Sequence, residues 1–285
     1  MPASAAISRS EAPLARPGAG LQRTRGSGRI AFKRFNAATT LSTLYQEGAA
    51  KIRLPRQHGP APCGEAVLIN TAGGLTGGDR LDWQVAGGAG TRTVATTQAC
   101  EKVYRSAGGA AEVHVRLDVG SGARLDWLPQ ETILFDRSRL ARSIEADLAP
   151  DARLLIVEAV IFGREAMGET VKEGSFRDRW RIRRAGRLVH AEEIRLEGGI
   201  HGMLQRPAVL AGARAMASLV YLGDDAGALL EGARDTVGEA GGASAFGGKL
   251  VARLAATDGI SLRRPLAALI AALRGGTLLP RVWTT

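Results

Sequence analysis

The sequence predicts a mainly β protein with some α, in which strands stack into a β-helical, solenoid-like body completed by two C-terminal helices. Three observations predict it: a turn-plus-arginine segment recurs along the chain, each copy leads into a run rich in Val, Leu, Ile or Thr, and helical periodicity is confined to the last third. The recurring segments are GGAGTRTVATTQA at Arg92, VGSGARLDWLPQE at Arg124, LAPDARLLIVEAV at Arg153, RRAGRLVHAEEIR at Arg187 and LAGARAMASLVYL at Arg214. Their arginines lie 32, 29, 34 and 27 residues apart. Gly, Ala, Pro or Asp supply the turn in each. A strand also precedes most of the turns, as in Val113–Val119 and Trp180–Arg183. Two-strand units repeating at this period bury a face on their neighbours, although the uneven spacing argues against a strict solenoid. The helices are expected over residues 224–238, with Asp224 as cap and Leu229, Leu230, Ala233 and Val237 on one face, and over 261–274. The second has Ser261 as cap, an apolar stripe of Leu266, Leu269, Ile270 and Leu273, and Gly275–Gly276 as its stop.

The 285 residues are 45% hydrophobic and 23% charged, which is globular usage, and no low-complexity stretch divides them. One β-rich domain is therefore expected over residues 29–285, preceded by a disordered basic arm over 1–28, where Ala, Gly, Ser and Pro cannot bury enough apolar surface to offset ordering. The formal net charge of +10 is concentrated near the start: residues 1–60 hold ten Lys/Arg against Glu11 and Glu47, leaving only about +2 for the rest. A nucleic-acid-binding role would draw on that arm, but only 5% of residues are aromatic and the body lacks an interleaved basic and aromatic pattern. No uninterrupted apolar run reaches membrane-spanning length and no secretory signal opens the chain, so a cytoplasmic location with no membrane contact is expected. Cys63 and Cys100 are too few for a disulfide framework and are expected to be reduced thiols.

The densest local signal is LINTAGGLTGGDRLDWQV at residues 68–85. Gly73, Gly74, Gly77 and Gly78 allow unusual backbone angles or close approach, and Asp79 closes the loop. A phosphate cradle fails on context, because no Lys-Ser/Thr ends the glycine run and a strand follows it. FGGKL at 246–250 fails likewise, with Ala243 and Leu250 where a P-loop needs Gly and Ser/Thr. A hydrolase is disfavoured by the lack of a nucleophile elbow or H-E-x-x-H, and by single, scattered histidines at His58, His114, His190 and His201. In RLLIVEAVIFG, residues 153–163, Glu158 interrupts an apolar strand. It must be paired with Arg, protonated, turned to water, or lining a polar passage; in an Arg-rich chain the Arg pair leads.

Taken in order, these pieces resemble the UreD (also UreH) family of urease accessory proteins. LINTAGGLTGGD resembles its GG-x-x-GGD loop. TTQACEKVYRS resembles its threonine-rich strand ending at Lys102, Tyr104, Arg105 and Ser106, with Cys100 and Glu101 where small or hydroxyl residues are expected. WLPQETILFDRS carries its W-x-P-Q-E block with Gln130 and Glu131. FGREAMGE, the RPA at Arg206–Ala208 and the terminal LPRVW resemble further blocks, from about residue 30 to the C-terminus. The resemblance implies a non-enzymatic scaffold of β-helical fold with two helices. It also implies that the scaffold binds UreF and through it UreG, presents them to apo-urease, and helps deliver nickel. It implies no tightly bound cofactor, only transient Ni²⁺ in an internal passage. Oxygen ligands that attract but release a divalent cation suit such a passage, and Asp79, Glu158, Glu169 and Glu192 stand at motif-matched positions.

Overall fold

The computed structural model describes residues 22–55 and 63–284. Residues 1–21 of the expected arm, and His58, lie outside the described residues. The first strand begins inside the expected arm. In chain order the elements are β1 (Arg25–Phe35), β2 (Ala38–Gly48), β3 (Ala50–Arg53), β4 (Gly64–Asn70), β5 (Arg80–Gly87), β6 (Arg92–Thr97), β7 (Glu101–Val103), β8 (Ala111–Val119) and β9 (Arg124–Leu128). There follow β10 (Thr132–Leu134), β11 (Arg139–Leu148), β12 (Arg153–Phe162), β13 (Gly174–Arg184), β14 (Arg187–Gly198), α1 (Ile200–Leu204), β15 (Ala215–Leu222), α2 (Leu230–Val237), β16 (Gly241–Phe246), β17 (Lys249–Ala256) and α3 (Gly259–Leu273).

Two sheets face each other. The first has the order β14-β13-β11-β8-β5-β1-β2 and the second β16-β17-β15-β12-β9-β6-β4-β3. Strands β1, β5, β8, β11 and β13 run parallel, as do β4, β6, β9 and β12 opposite them, so the chain winds from one sheet to the other and back in stacked coils. The turn-plus-arginine repeat is the corner of each coil. Arg92, Arg124 and Arg153 are aligned in register as β6, β9 and β12 begin. Their corners are bonded to one another, Arg124 N–H to Thr91 C=O and Arg153 N–H to Ala123 C=O, both at 2.9 Å. The last two copies depart from this. Arg187 opens the return strand of the antiparallel β13–β14 hairpin, and Arg214 precedes β15, which runs antiparallel to β12. The winding therefore ends after β13 and the layers finish as meanders.

The inner faces of both sheets form one hydrophobic core that includes Trp83, Trp127, Phe176 and Trp180. The outer face of the second sheet packs on α2 and α3 through Leu250, Leu254, Leu262, Leu266 and Leu269. Helix α3 starts three residues earlier than its cap was read: Asp258 accepts the Ser261 N–H at 2.7 Å, and the Ser261 hydroxyl donates back to Asp258 at 2.6 Å. Helix α2 starts at Leu230 rather than 224, because the preceding turn is held outside the helix by Asp225, which accepts the Tyr221 hydroxyl at 2.7 Å. The five-residue α1 is a third helix, too short to leave a periodic stripe in the sequence. FGGKL is a hairpin turn, with Gly247 and Gly248 at φ of +56° and +71° between the paired Phe246 and Lys249. No helix among the described residues is long and apolar enough to cross a membrane.

Candidate functional site

The glycine loop is an assembly point rather than a cradle. Leu75, buried at its centre, bridges to the strand that carries the K-x-Y-R-S motif: its N–H donates to Lys102 C=O and its C=O accepts from Tyr104 N–H, both at 2.7 Å. The Thr76 hydroxyl donates to Arg105 C=O at 2.9 Å, and the Tyr104 hydroxyl donates to Gly73 C=O at 3.0 Å. A Cβ at Gly77 would stand 2.0 Å from the Ser106 hydroxyl and 2.4 Å from Gly108 C=O, so only glycine fits. Asp79 is consumed here, its two oxygens accepting the backbone N–H groups of Thr24 and Thr76 at 2.7 and 2.8 Å. Glu131 is also structural in its contacts. It takes two hydrogen bonds from Arg263 of α3, at 2.8 and 3.0 Å, and one from the Cys100 thiol at 3.4 Å. Glu169 is gripped by Arg164 through two guanidinium contacts and a backbone N–H, and the Arg164 hydrogen bond holds its carboxyl below the ordinary range.

Glu158 lies between the sheets. Alternation along β11 sends Leu140, Arg142, Ile144 and Ala146 inward, and along β13 Phe176, Asp178, Trp180 and Ile182, so Arg142 and Asp178 meet as register partners on the core side. Glu158 reaches Arg142 from the facing sheet. The guanidinium thus joins two carboxylates, the Asp178 contact measuring 2.6 Å, and all three residues are 6% exposed or less. Two indoles complete the set: Trp127 donates to Glu158 at 2.9 Å and Trp180 to Asp178 at 3.0 Å. One cation serves two anions. Burial pushes the Glu158 carboxyl up, to about 7, opposed by Arg142 and reinforced by Asp178.

This triad is the middle of a polar seam. On one side a cavity of about 50 Å³ is bounded by Thr97, Glu101, Gln130, Thr132, Arg142 and Glu158 among apolar walls. The Gln130 Nε2 is buried without a hydrogen-bond partner. The Glu101 carboxylate has no cationic partner among the described residues; its side-chain donor is the Asn70 amide, at 3.1 and 3.2 Å. On the other side Ser218 is the cross-strand neighbour of Glu158 and donates to Glu192 at 2.9 Å. Arg253 pairs with Glu192 at 2.9 Å, and His190 Nε2 lies 3.5 Å from its second oxygen. Burial raises the Glu192 pKa, but the His190 ring, the Arg253 charge and the Ser218 hydroxyl outweigh it and hold the group below the usual range.

The structure therefore brings Glu158 and Glu192 onto one seam and leaves Asp79 and Glu169 in separate loops. Among the described residues no group of three or more His, Cys, Asp or Glu side chains could hold a metal ion. Sequence reading missed Arg142 and Asp178, and it gave Trp127 and Glu101 no part in this seam. The first two had a signal: each is a charged residue at an inward position of an alternating strand.

Burial pushes Glu101 up from 4.5 to about 7. The folded protein then holds a proton that the unfolded chain releases, so this stabilisation is complete below the ordinary carboxylate pKa and is lost as pH rises through about 7. Melting temperature should fall between pH 5.5 and 8, and Glu101→Gln should flatten that fall, Glu158 supplying the residual slope in the same direction. The Glu101 component is at most about 3 kcal/mol and is reduced by its residual solvent contact. Identical pH profiles for both proteins would refute it.

Comparison with known proteins places this arrangement in a lineage. Residues 24–284 match the family described as UreD urease accessory protein. The urease accessory protein UreD of Rhizobium leguminosarum bv. viciae is 57% identical over 263 residues, covering 92% of this chain and 96% of that protein. Its counterpart in Agrobacterium fabrum (strain C58) is 54% identical over 262 residues, 92% of each, and UreD 1 of Brucella abortus biovar 1 is 51% identical over 272 residues, 94% of this chain and 96% of that one.

Proposed function

Because the chain belongs to the UreD family of urease accessory proteins, we propose that it is a non-enzymatic scaffold of urease maturation that binds UreF, recruits UreG through it, and passes Ni²⁺ toward apo-urease in the cytoplasm. The family match over nearly the whole chain carries this reading. The seam supports its nickel part. In the triad and beside Arg253, Glu158 and Glu192 already have cationic partners, so the carboxylate best suited to a passing cation is Glu101, which has none and shares the cavity with Gln130, Thr97 and Glu158. Oxygen donors without imidazole or thiolate would hold Ni²⁺ briefly and let it go. Asp79 and Glu169 act instead by holding the loops that close the coils. A nucleic-acid-binding reading is weakened where outer arginines of the body are matched to neighbouring acids, as in Arg80–Asp82 and Arg116–Asp118.

Co-expression tests the partner assignment. The chain should co-purify with UreF as a complex that survives gel filtration, and UreG should join only when UreF is present. Failure of UreF to co-purify at several salt concentrations, with both proteins soluble, would reject it.

A further inference from the structure

The two layers end at different places. The first sheet stops at β14, whereas the second continues past it with β17 and β16, so a strip of the second sheet has no strand opposite it. Gly242, Ser244 and Phe246 of β16 and Lys249, Val251 and Arg253 of β17 form a shelf under the free edge of β14, and the groove between them holds about 800 Å³. It continues into an apolar hollow of about 410 Å³ beside Val209, Leu210 and Met216. Exposed large apolar side chains gather along this groove: Leu188 is 54% exposed, Phe246 57% and Val209 41%.

Charge gives the groove a preference. Lys249 lies 4.6 Å over the Phe246 ring and donates to Val189 C=O at 2.5 Å, yet it forms no ion pair with any carboxylate among the described residues, and burial lowers its pKa. Arg253, half exposed beside it, is paired with Glu192, and His190 Nε2 lies 3.5 Å from the same carboxylate. Glu193, the other acid lining the groove, is matched to Arg177 and Arg181, which leaves Lys249 as the groove's cation without a carboxylate among the described residues. A strand adds to a sheet edge at about 4.8 Å and packs about 10 Å from a facing sheet, and β14 pairs only with β13, so its other edge is open to such an addition above the shelf. Residues 1–21 of the chain itself bear Arg9 and Arg16 against Glu11 and are a poor charge match.

We propose that this shelf receives an extended segment of a partner protein, apolar on one face and carrying an acidic side chain, by strand addition to β14. The segment's apolar residues would cover Phe246, Val251 and Met216, and its carboxylate would meet Lys249 and Arg253. The proposal rests on the scaffold reading above for the existence of the partner.

Gly242 offers a clean test, since a Cβ there meets nothing within 4 Å and its backbone is not in the left-handed region. In the full-length chain co-expressed with the urease subunits and accessory proteins, a photo-crosslinking p-benzoylphenylalanine replaces Phe246 in one sample and Arg116, on the outer face of the first sheet, in another. The Phe246 probe should capture one partner at an acid-containing segment and the Arg116 probe should not. Gly242→Trp, which fills the shelf, and Lys249→Glu should each lower capture about tenfold, corresponding to 1.4 kcal/mol. Gly242→Ala should leave it unchanged. A complex that forms without capture at Phe246, capture undiminished in Gly242→Trp, or capture of a second copy of this chain overturns the inference and leaves the scaffold reading standing. Absence of any complex overturns both.

Discussion

Replacing Arg142 with Met is expected to cost about 3–5 kcal/mol, because it leaves two carboxylates, Glu158 and Asp178, facing each other in the core without their shared cation. In a chain of this size that is a fall in melting temperature of roughly 10 °C, or loss of soluble protein. The neighbouring substitutions should behave differently. Glu158→Gln removes one anion but leaves Arg142 paired with Asp178, and the amide still accepts from Trp127, so its cost should be about 1 kcal/mol. Replacing all three residues together by apolar side chains of similar volume should restore most of the stability, since no buried charge then remains unpaired. Soluble yield and thermal unfolding by circular dichroism of the three variants check the series. An Arg142→Met protein as stable as the original would mean that the triad does not join the sheets energetically.

The same asymmetry bears on the proposed nickel passage. A carboxylate locked by a guanidinium cannot also ligate a travelling cation unless the guanidinium moves, and Arg142 is held by Glu158, Asp178 and Thr132 at once. On the proposed reading, a passing cation would therefore meet residues other than those that stabilise the fold. The triad fixes the spacing of the sheets, and the cavity beside it holds the unpaired polar groups.

The coil architecture was legible because turn chemistry is local. The glycines and alanines before Arg92, Arg124 and Arg153 announce corners, and the corners stack in register. The same signal misled at Arg187 and Arg214, where an identical turn begins an antiparallel strand, since direction is decided by what the strand packs against and not by the turn. Glu158 could be picked out because it interrupts an apolar run, and its Arg partner was the favoured alternative. Which arginine was not legible: Arg142 is sixteen residues away on the opposite sheet. Asp79 and Glu169 look like Glu158 in sequence, as acids inside family-like blocks, but lie in loops where backbone N–H groups or Arg164 use their oxygens. Glu101 was noticed only as a departure from the family pattern. Its candidacy in the proposed passage comes from burial beside a cavity, which requires the coils on either side of it.

The most direct test of the account is the nickel content of urease matured in a strain that lacks its own UreD protein and carries this chain in its place. The original chain should restore nickel-loaded, active urease. Glu101→Gln keeps the volume and the hydrogen bonding to Asn70 while removing the charge, so the protein and its UreF complex should form normally while nickel per urease active site falls on the order of tenfold. Asp79→Asn should fail differently, by lowering soluble protein, because its oxygens fasten a loop. Full nickel loading by Glu101→Gln at a normal level of complex would contradict the passage, and urease left without nickel by the soluble, UreF-bound original chain would contradict the maturation role itself.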